Sequence, residues 1–144
     1  MRPFEELVRE NWTLAGMRAC HEFSRYESSV MESLNSPDPE VRSAAIATLI
    51  DAEQAAARES VLPLLDDPAR LVREEALEYL CDHALPEDGP KLYSLFKTDL
   101  DIFMISRALC MALGDKGPLL DSDDPEVTQE AGIRQWKEIL ENAG

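Results

Sequence analysis

The chain of 144 residues has few of the side chains that most often carry chemistry. It contains two histidines and three cysteines, so it offers few metal ligands and few catalytic bases. None of its six glycines frames a serine or cysteine in a nucleophile elbow. No run of eighteen apolar residues occurs, which excludes a membrane-spanning helix, and the opening stretch MRPFEELVRE lacks the apolar core of a signal peptide. We therefore expect a protein that is not an enzyme.

Positive charge is also scarce. Lysine and arginine total 14 against 29 aspartates and glutamates, which gives a net charge of −15. Such a charge repels phosphate backbones and disfavours an anionic membrane surface, so we expect neither nucleic acid nor membrane as a partner. A basic protein is the natural complement. The same excess of acid is equally compatible with a surface that only keeps the protein in solution.

The cysteines and histidines do not form a recognisable metal site. Cys20, Cys81 and Cys110 are an odd, unpaired set, which is typical of a reducing compartment and predicts a cytoplasmic protein. Four nominal zinc ligands are present, namely Cys20, His21, Cys81 and His83. Their spacing is not that of a finger or a ribbon. We expect no metal and no cofactor.

The chain does contain an internal repeat. The stretch SVMESLNSPDPEVRSAAIATL at residues 29–49 returns as SVLPLLDDPARLVREEALEYL at residues 60–80, a period of 31, with eight of 21 positions identical. Val41, Ala45 and Leu49 are among the identities, and their spacing of four places them on one stripe of a helix. One helical hairpin cannot bury such a stripe alone, so the repeat predicts stacked hairpins that share a core.

The period predicts a single all-α domain over residues 1–144, with about four hairpins and no strand. We expect capping helices at 1–25, repeats at 26–51, 52–83 and 84–114, and a capping repeat at 115–144. Turns are expected at 36–39, 66–68 and 123–125, where a proline precedes the apolar stripe or its counterpart. Thr13 is a candidate cap for the second N-terminal helix. The helix in DIFMISRALCMALG, residues 101–114, is apolar on most sides, so we expect it to be the most buried.

The two best repeats resemble a known family. SPDPEVRSAAIATL and LLDDPARLVREEALEYL are similar to HEAT repeats of the short bacterial type, in which Asp-Pro precedes Val-Arg and then Ala and Leu at helical spacing. The resemblance covers roughly residues 26–140. It implies a right-handed α-α superhelix whose second helices line a concave face, and a binding scaffold more often than an enzyme. It also implies a structural ion pair between Arg42 and Asp67.

Three activities of HEAT-like proteins can be compared with this sequence. Iron-binding members use several His-Glu pairs, and this chain has only His21-Glu22. Glycosylase-like members hold nucleic acid in a basic groove, which the charge of −15 opposes. Members that hold a tetrapyrrole need cations for its propionates, and Arg70, Arg107 and Arg134 are the candidates. A small-ligand carrier or lyase subunit therefore stays open as an alternative, as does an adaptor in a larger complex.

The clearest functional signal is an acidic helix face. Projection of residues 69–83 at 100° per residue places four carboxylates opposite the apolar stripe, and the first repeat has mostly small residues on the matching face. The predicted partner-binding residues are Glu74, Glu75, Glu78, Asp82, Asp51, Ser43, Ala44 and Ala47. We expect this face to bind a basic protein, and an immunity or antitoxin role against a nuclease-type toxin would fit. A solvated helix face is the alternative.

Overall fold

The computed structural model describes residues 3–143, and within that range helices are the only regular secondary structure, joined by turns and short loops. Nine α-helices follow one another there: α1 Phe4–Glu10, α2 Trp12–His21, α3 Phe23–Ser33, α4 Pro39–Asp51, α5 Arg58–Val61, α6 Arg70–His83, α7 Gly89–Ser94, α8 Ile102–Leu113 and α9 Glu126–Ala143. Four short 3₁₀ helices lie at Ala55–Ala57, Leu62–Asp66, Pro86–Asp88 and Leu95–Lys97. The predicted fold class, a series of helical hairpins, is confirmed.

The predicted turns lie between these helices. The chain leaves α3 after Ser33 and enters α4 at Pro39, where proline suits the first helical position. The Asp38 side chain caps α4 by accepting a hydrogen bond from the Glu40 amide at 2.9 Å. The turns at 66–68 and 123–125 end just before α6 and α9, which begin at Arg70 and Glu126.

The described chain forms two compact units, one up to Tyr79 and one from Leu80. In the first unit α1 and α2 form an antiparallel hairpin, and α3 and α4 form another. Helix α1 packs on α3 and α2 packs on α4. The N-terminal segment therefore repeats the hairpin arrangement although its sequence does not repeat the motif. The residue ranges assigned to individual repeats stay a prediction.

The cap of α2 is Asn11 and not Thr13, which corrects the sequence prediction. The Asn11 side chain accepts a hydrogen bond from the Leu14 amide at 2.9 Å, and its backbone is extended as a cap requires. Thr13 lies inside the first turn of the helix. Asparagine and threonine are both good caps, and only the position of the chain reversal decides between them.

The repeated stripe forms the core of the first unit. Val41, Ala45, Leu49, Val72 and Ala76 are all fully buried, as the period predicted. Burial of such a valine or leucine side chain contributes roughly 1.5–3 kcal/mol to the free energy of unfolding before chain entropy is counted. The stripe therefore contributes strongly to the stability of this unit.

The ion pair implied by the family resemblance is present. The Arg42 guanidinium donates two hydrogen bonds of 2.8 Å to the Asp67 carboxylate and a third of 2.8 Å to the Ser36 carbonyl. The side chains are only 13% and 5% exposed. Burial by itself would raise the pKa of Asp67, but the Arg42 bonds, the Ala69 amide and nearby Arg73 lower it overall. The pair therefore fixes the turn that leads into α6.

In the second unit, α9 packs through a single large aromatic residue. Trp136 is fully buried and donates its indole N–H to the Pro118 carbonyl at 2.8 Å. A Cβ added to Gly117 would lie 2.6 Å from the indole ring, so only glycine fits there. Glu138 and Glu141 lie on the exposed side of α9, as expected of a terminal repeat.

Helix α8 is not the most buried helix, contrary to the prediction. Five of its residues are buried, compared with seven in α4. Phe103 and Met111 are 40% and 46% exposed. Helix α4 buries more because small residues lie on several of its sides and neighbouring helices can approach closely. The total apolar content of a helix therefore does not predict how many of its sides are covered.

The end of α4 has an unusual backbone. The Gln54 amide donates to the Leu49 carbonyl and the Glu53 amide to the Ile50 carbonyl, both at 3.0 Å. These bonds form a Schellman motif, in which the residue after Ala52 adopts the left-handed conformation that glycine favours. Here that residue is Glu53, with φ of 55°, the one non-glycine residue with positive φ among residues 3–143.

Candidate functional site

Four of the predicted carboxylates belong to one electrostatic cluster in the first unit. Asp51 ends α4, and Glu74, Glu75 and Glu78 lie on α6. Burial, and then the charges of Glu78, Asp51 and Glu74 in that order, together raise the pKa of Glu75 from 4.5 to about 7. We call these four residues the acidic cluster.

Most of the acidic cluster lacks a cationic neighbour. Glu74 forms an exposed ion pair of 2.7 Å with Arg70, one helical turn away. Among residues 3–143, no hydrogen bond or ion pair reaches the carboxylates of Asp51, Glu75 or Glu78. Glu75 is the most unusual of the three because it is also half-buried, and a buried charge is ordinarily paired. The cluster therefore carries uncompensated negative charge.

The predicted strip of small residues does not lie at the surface. Ser43 is fully buried and Ala44 is 3% exposed, while Ala47 is partly exposed. Helix α2 packs on α4 on the side of Ala44, a contact that the repeat did not reveal. Ser43 is therefore not available to a partner, and Ala44 is accessible only as part of the wall of a pocket between α2 and α4. Asp82 is exposed on the last turns of α6, in the part of that helix that belongs to the second unit.

The packing of α2 on α4 leaves a pocket of about 140 Å³. One face of α2 and one face of α4 line it. The lining residues are Trp12, Thr13, Gly16 and Met17 from α2, and Ala44, Ala47, Thr48 and Asp51 from α4. Sequence reasoning missed the α2 residues, and the available signal was their spacing of i, i+1, i+4 and i+5, which places them on one helix face. We call this space the α2–α4 pocket.

The field of the carboxylates extends to α2. Burial raises the pKa of the Cys20 thiol, and the charges of Asp51 and Glu53 raise it as well. The thiol is therefore held in its protonated, weakly nucleophilic form. A raised pKa is the opposite of what a reactive thiol needs, so Cys20 is not a candidate nucleophile.

The other candidate residues lie as follows. Cys81 is buried, with its sulfur 3.4 Å from the Met104 carbonyl oxygen, and Cys20 is partly exposed. Within the described range of 3–143, no three His, Cys, Asp or Glu side chains are grouped so that they could hold a metal ion. The three candidate tetrapyrrole cations, Arg70, Arg107 and Arg134, are each exposed. None of the helices in that same range is long and apolar enough to cross a membrane.

The antiparallel hairpins, with α1 stacked on α3 and α2 on α4, define an α-helical repeat protein. The family model described as HEAT repeats matches residues 28–114, which is more than half of the chain, and the protein belongs to that family. HEAT repeats generally mediate protein–protein interaction and are typically scaffolds without catalytic activity. No curated protein and no solved structure matches the chain.

Proposed function

We propose that the protein binds a basic protein partner through the acidic cluster of Asp51, Glu74, Glu75 and Glu78. One observation carries the proposal: the Glu75 carboxylate is half-buried, lies among three other carboxylates and has no cationic partner. Stability alone gives no reason for that arrangement, because each charge raises the free energy of the others. A lysine or arginine from a partner would turn the repulsion into attraction.

The charge distribution also predicts how the partner is recognised. A net charge of −15 attracts any cation at long range, so the total charge alone speeds association with basic proteins. Specific binding requires that the position of the charge matters as well. Because the Glu75 pKa is about 7, the cluster gains negative charge between pH 6 and 8. We expect the affinity for the partner to increase over the same interval.

The experiment compares two variants of equal charge. Glu74→Lys with Glu78→Lys reverses two exposed charges in the cluster, and Glu138→Lys with Glu141→Lys reverses two exposed charges on α9. Partners are captured from cells with the wild-type chain and with both variants in parallel. Association rates of each captured protein are then measured at low and at high salt.

A specific partner should associate about tenfold more slowly with the cluster variant at low salt, and nearly normally with the α9 variant. The difference should shrink at high salt, because salt screens exposed charges. Equal slowing by both variants would show that only the net charge matters, and the acidic cluster would then be an ordinary solvated face.

A specific form of this proposal is an immunity or antitoxin role, in which the acidic cluster covers the cationic active site of a nuclease-type toxin. The same charge complementarity supports it. A captured nuclease should then be inhibited by the wild-type chain and much less by the Glu74→Lys, Glu78→Lys variant.

The tetrapyrrole-carrier alternative gains no support from the first unit. Two pockets of that unit have volumes of about 140 and 260 Å³, below the roughly 300–1,000 Å³ of sites that enclose drug-sized ligands. The smaller of these pockets is nevertheless suited to a single side chain.

A further inference from the structure

The α2–α4 pocket combines apolar walls with one acidic end. Trp12 and Met17, which are 44% and 64% exposed, form the large side chains of the wall. Gly16 and Ala47 provide small surfaces between them, and Asp51 supplies a carboxylate. A pocket of about 140 Å³ holds the volume of about four or five water molecules, which is the size of one long side chain.

The polar groups of the pocket favour a cationic guest. The Thr48 hydroxyl donates to the Ala44 carbonyl at 2.9 Å, and the Trp12 indole N–H donates to the Glu40 carbonyl at 3.3 Å. These donors are already in use, so they do not balance the negative charge of Asp51. The face of an indole ring also attracts a cation. An aliphatic stem with a positive head would contact the apolar walls and pair with the carboxylate.

Gly16 gives an independent indication that the space is functional. Glycine inside a helix is unfavourable and usually needs a packing or backbone reason. At Gly16 an added Cβ would meet only the Thr48 hydroxyl, at 3.8 Å, which is ordinary contact. Gly117 is different, because an added Cβ there would clash with a buried ring. No close contact in the fold therefore requires glycine at position 16, and its effect is to keep the pocket open.

We infer that the α2–α4 pocket is the anchor site for one arginine or lysine side chain of the basic partner. The stem lies between Trp12 and Met17, and the cationic head pairs with Asp51 at the edge of the acidic cluster. The inference rests on the proposed function, which identifies the partner as a basic protein. It goes further by assigning a defined pocket and the chemistry of the residue that enters it.

The test uses the full chain and three small probes: the Nα-acetyl amides of arginine, lysine and citrulline. Citrulline has nearly the shape of arginine and no charge. Binding is followed by NMR through the Trp12 indole N–H and the Gly16 amide. The Trp136 indole, which is buried in the second unit, is the internal reference. Two variants, Gly16→Leu and Asp51→Asn, are titrated in parallel.

The arginine or lysine amide, or both, should shift the Trp12 and Gly16 signals and leave the Trp136 signal unchanged. Citrulline amide and the Asp51→Asn variant should each weaken binding about tenfold, because a charge-assisted contact is lost. Gly16→Leu should abolish binding by filling the pocket. Well-dispersed amide signals from Val72 and Ala76, which are buried in the same unit as Gly16, show that this variant is folded, and Asp51→Asn tests the charge even if the leucine disturbs α2.

Equal binding of citrulline and arginine amides would overturn the inference, as would normal binding by Gly16→Leu. Its failure can be distinguished from failure of the proposed function. If the Glu74→Lys, Glu78→Lys variant loses a specific partner while the probes leave Trp12 unshifted, the acidic cluster binds the partner without this pocket. If the probes bind but the charge-reversed variants behave alike, the pocket stands and the proposed role of the cluster fails.

Discussion

Replacement of Glu75 by glutamine should stabilise the protein at alkaline pH. The raised pKa means that the folded state disfavours the ionised carboxylate. Between pH 4.5 and about 7 the folded protein holds a proton on Glu75 that the unfolded chain has lost. Stability therefore falls as the pH rises through this interval, and above pH 7 the full penalty is present. Glutamine has a similar shape and helix propensity but never ionises.

The magnitude follows from the two pKa values. A difference of about 2.5 units corresponds to about 3 kcal/mol, because one unit is 1.36 kcal/mol. Glu75 is only half-buried, so solvent screening reduces the expected gain to about 1–2 kcal/mol at pH 8. At pH 5 the gain should be well under half of that, since the folded protein is then largely protonated at Glu75.

The measurement is urea unfolding of the wild type and Glu75→Gln at several values between pH 5 and 8. Glu138→Gln is the control, because it removes an exposed charge on α9. It should show little change at any pH. A Glu75→Gln variant that is no more stable than wild type at pH 8 would refute the reasoning. So would a gain of the same size at pH 5 and pH 8, since that would not come from ionisation.

Four further substitutions test the fold. Leu80→Ala should lower the free energy of unfolding by about 2–5 kcal/mol in a urea melt, because Leu80 is fully buried, and a loss under about 0.5 kcal/mol would contradict the repeat. Asp67→Ala should lower the free energy of unfolding by about 3 kcal/mol at pH 7, because it leaves Arg42 largely buried without its carboxylate partner. The loss should be smaller in acid, because a lowered pKa of Asp67 gives stability above pH 3.8 that disappears as the pH falls. Equal losses at both pH values would argue against the pair. Gly117→Ala should lower the free energy of unfolding by about 1–3 kcal/mol, because the added Cβ clashes with the Trp136 ring. Gly16→Ala should raise it by up to about 1 kcal/mol in the same thermal or urea melts, because alanine favours a helix and has room there. The opposite order would contradict the packing at both sites.

The parts of the fold that the sequence predicted are those that depend on local patterns. The spacing of Val41, Ala45 and Leu49 predicted their burial, because helical geometry places such residues on one face. The resemblance to HEAT repeats, and not the period, predicted the ion pair between Arg42 and Asp67, because Asp67 aligns with Ser36 in the 31-residue repeat. The resemblance to HEAT repeats supplied their expected roles.

The α2–α4 pocket could not be predicted in that way. Trp12 and Gly16 lie in a hairpin that lacks the Asp-Pro and Val-Arg motif, so the period gave no register between α2 and α4. The exposure of Ala44 was misjudged for the same reason, because the projection shows the direction of a side chain and not the helix that covers it. The half-burial of Glu75 at the margin of the apolar stripe likewise depends on the position of its neighbours.

The left-handed backbone of Glu53 has a consequence for evolution of this surface. A glutamate at that position is energetically frustrated, because glycine would adopt the same conformation with less strain and without another negative charge near Asp51. Gly16 and Glu75 show the same kind of conflict, since each has a replacement that should stabilise the fold. Gly16 lines the α2–α4 pocket together with Asp51, whose charge acts on Glu75, and Glu53 follows Asp51 by two residues. Selection for stability alone would remove such conflicts one by one, so their persistence agrees with the proposal that this surface evolved to bind a partner.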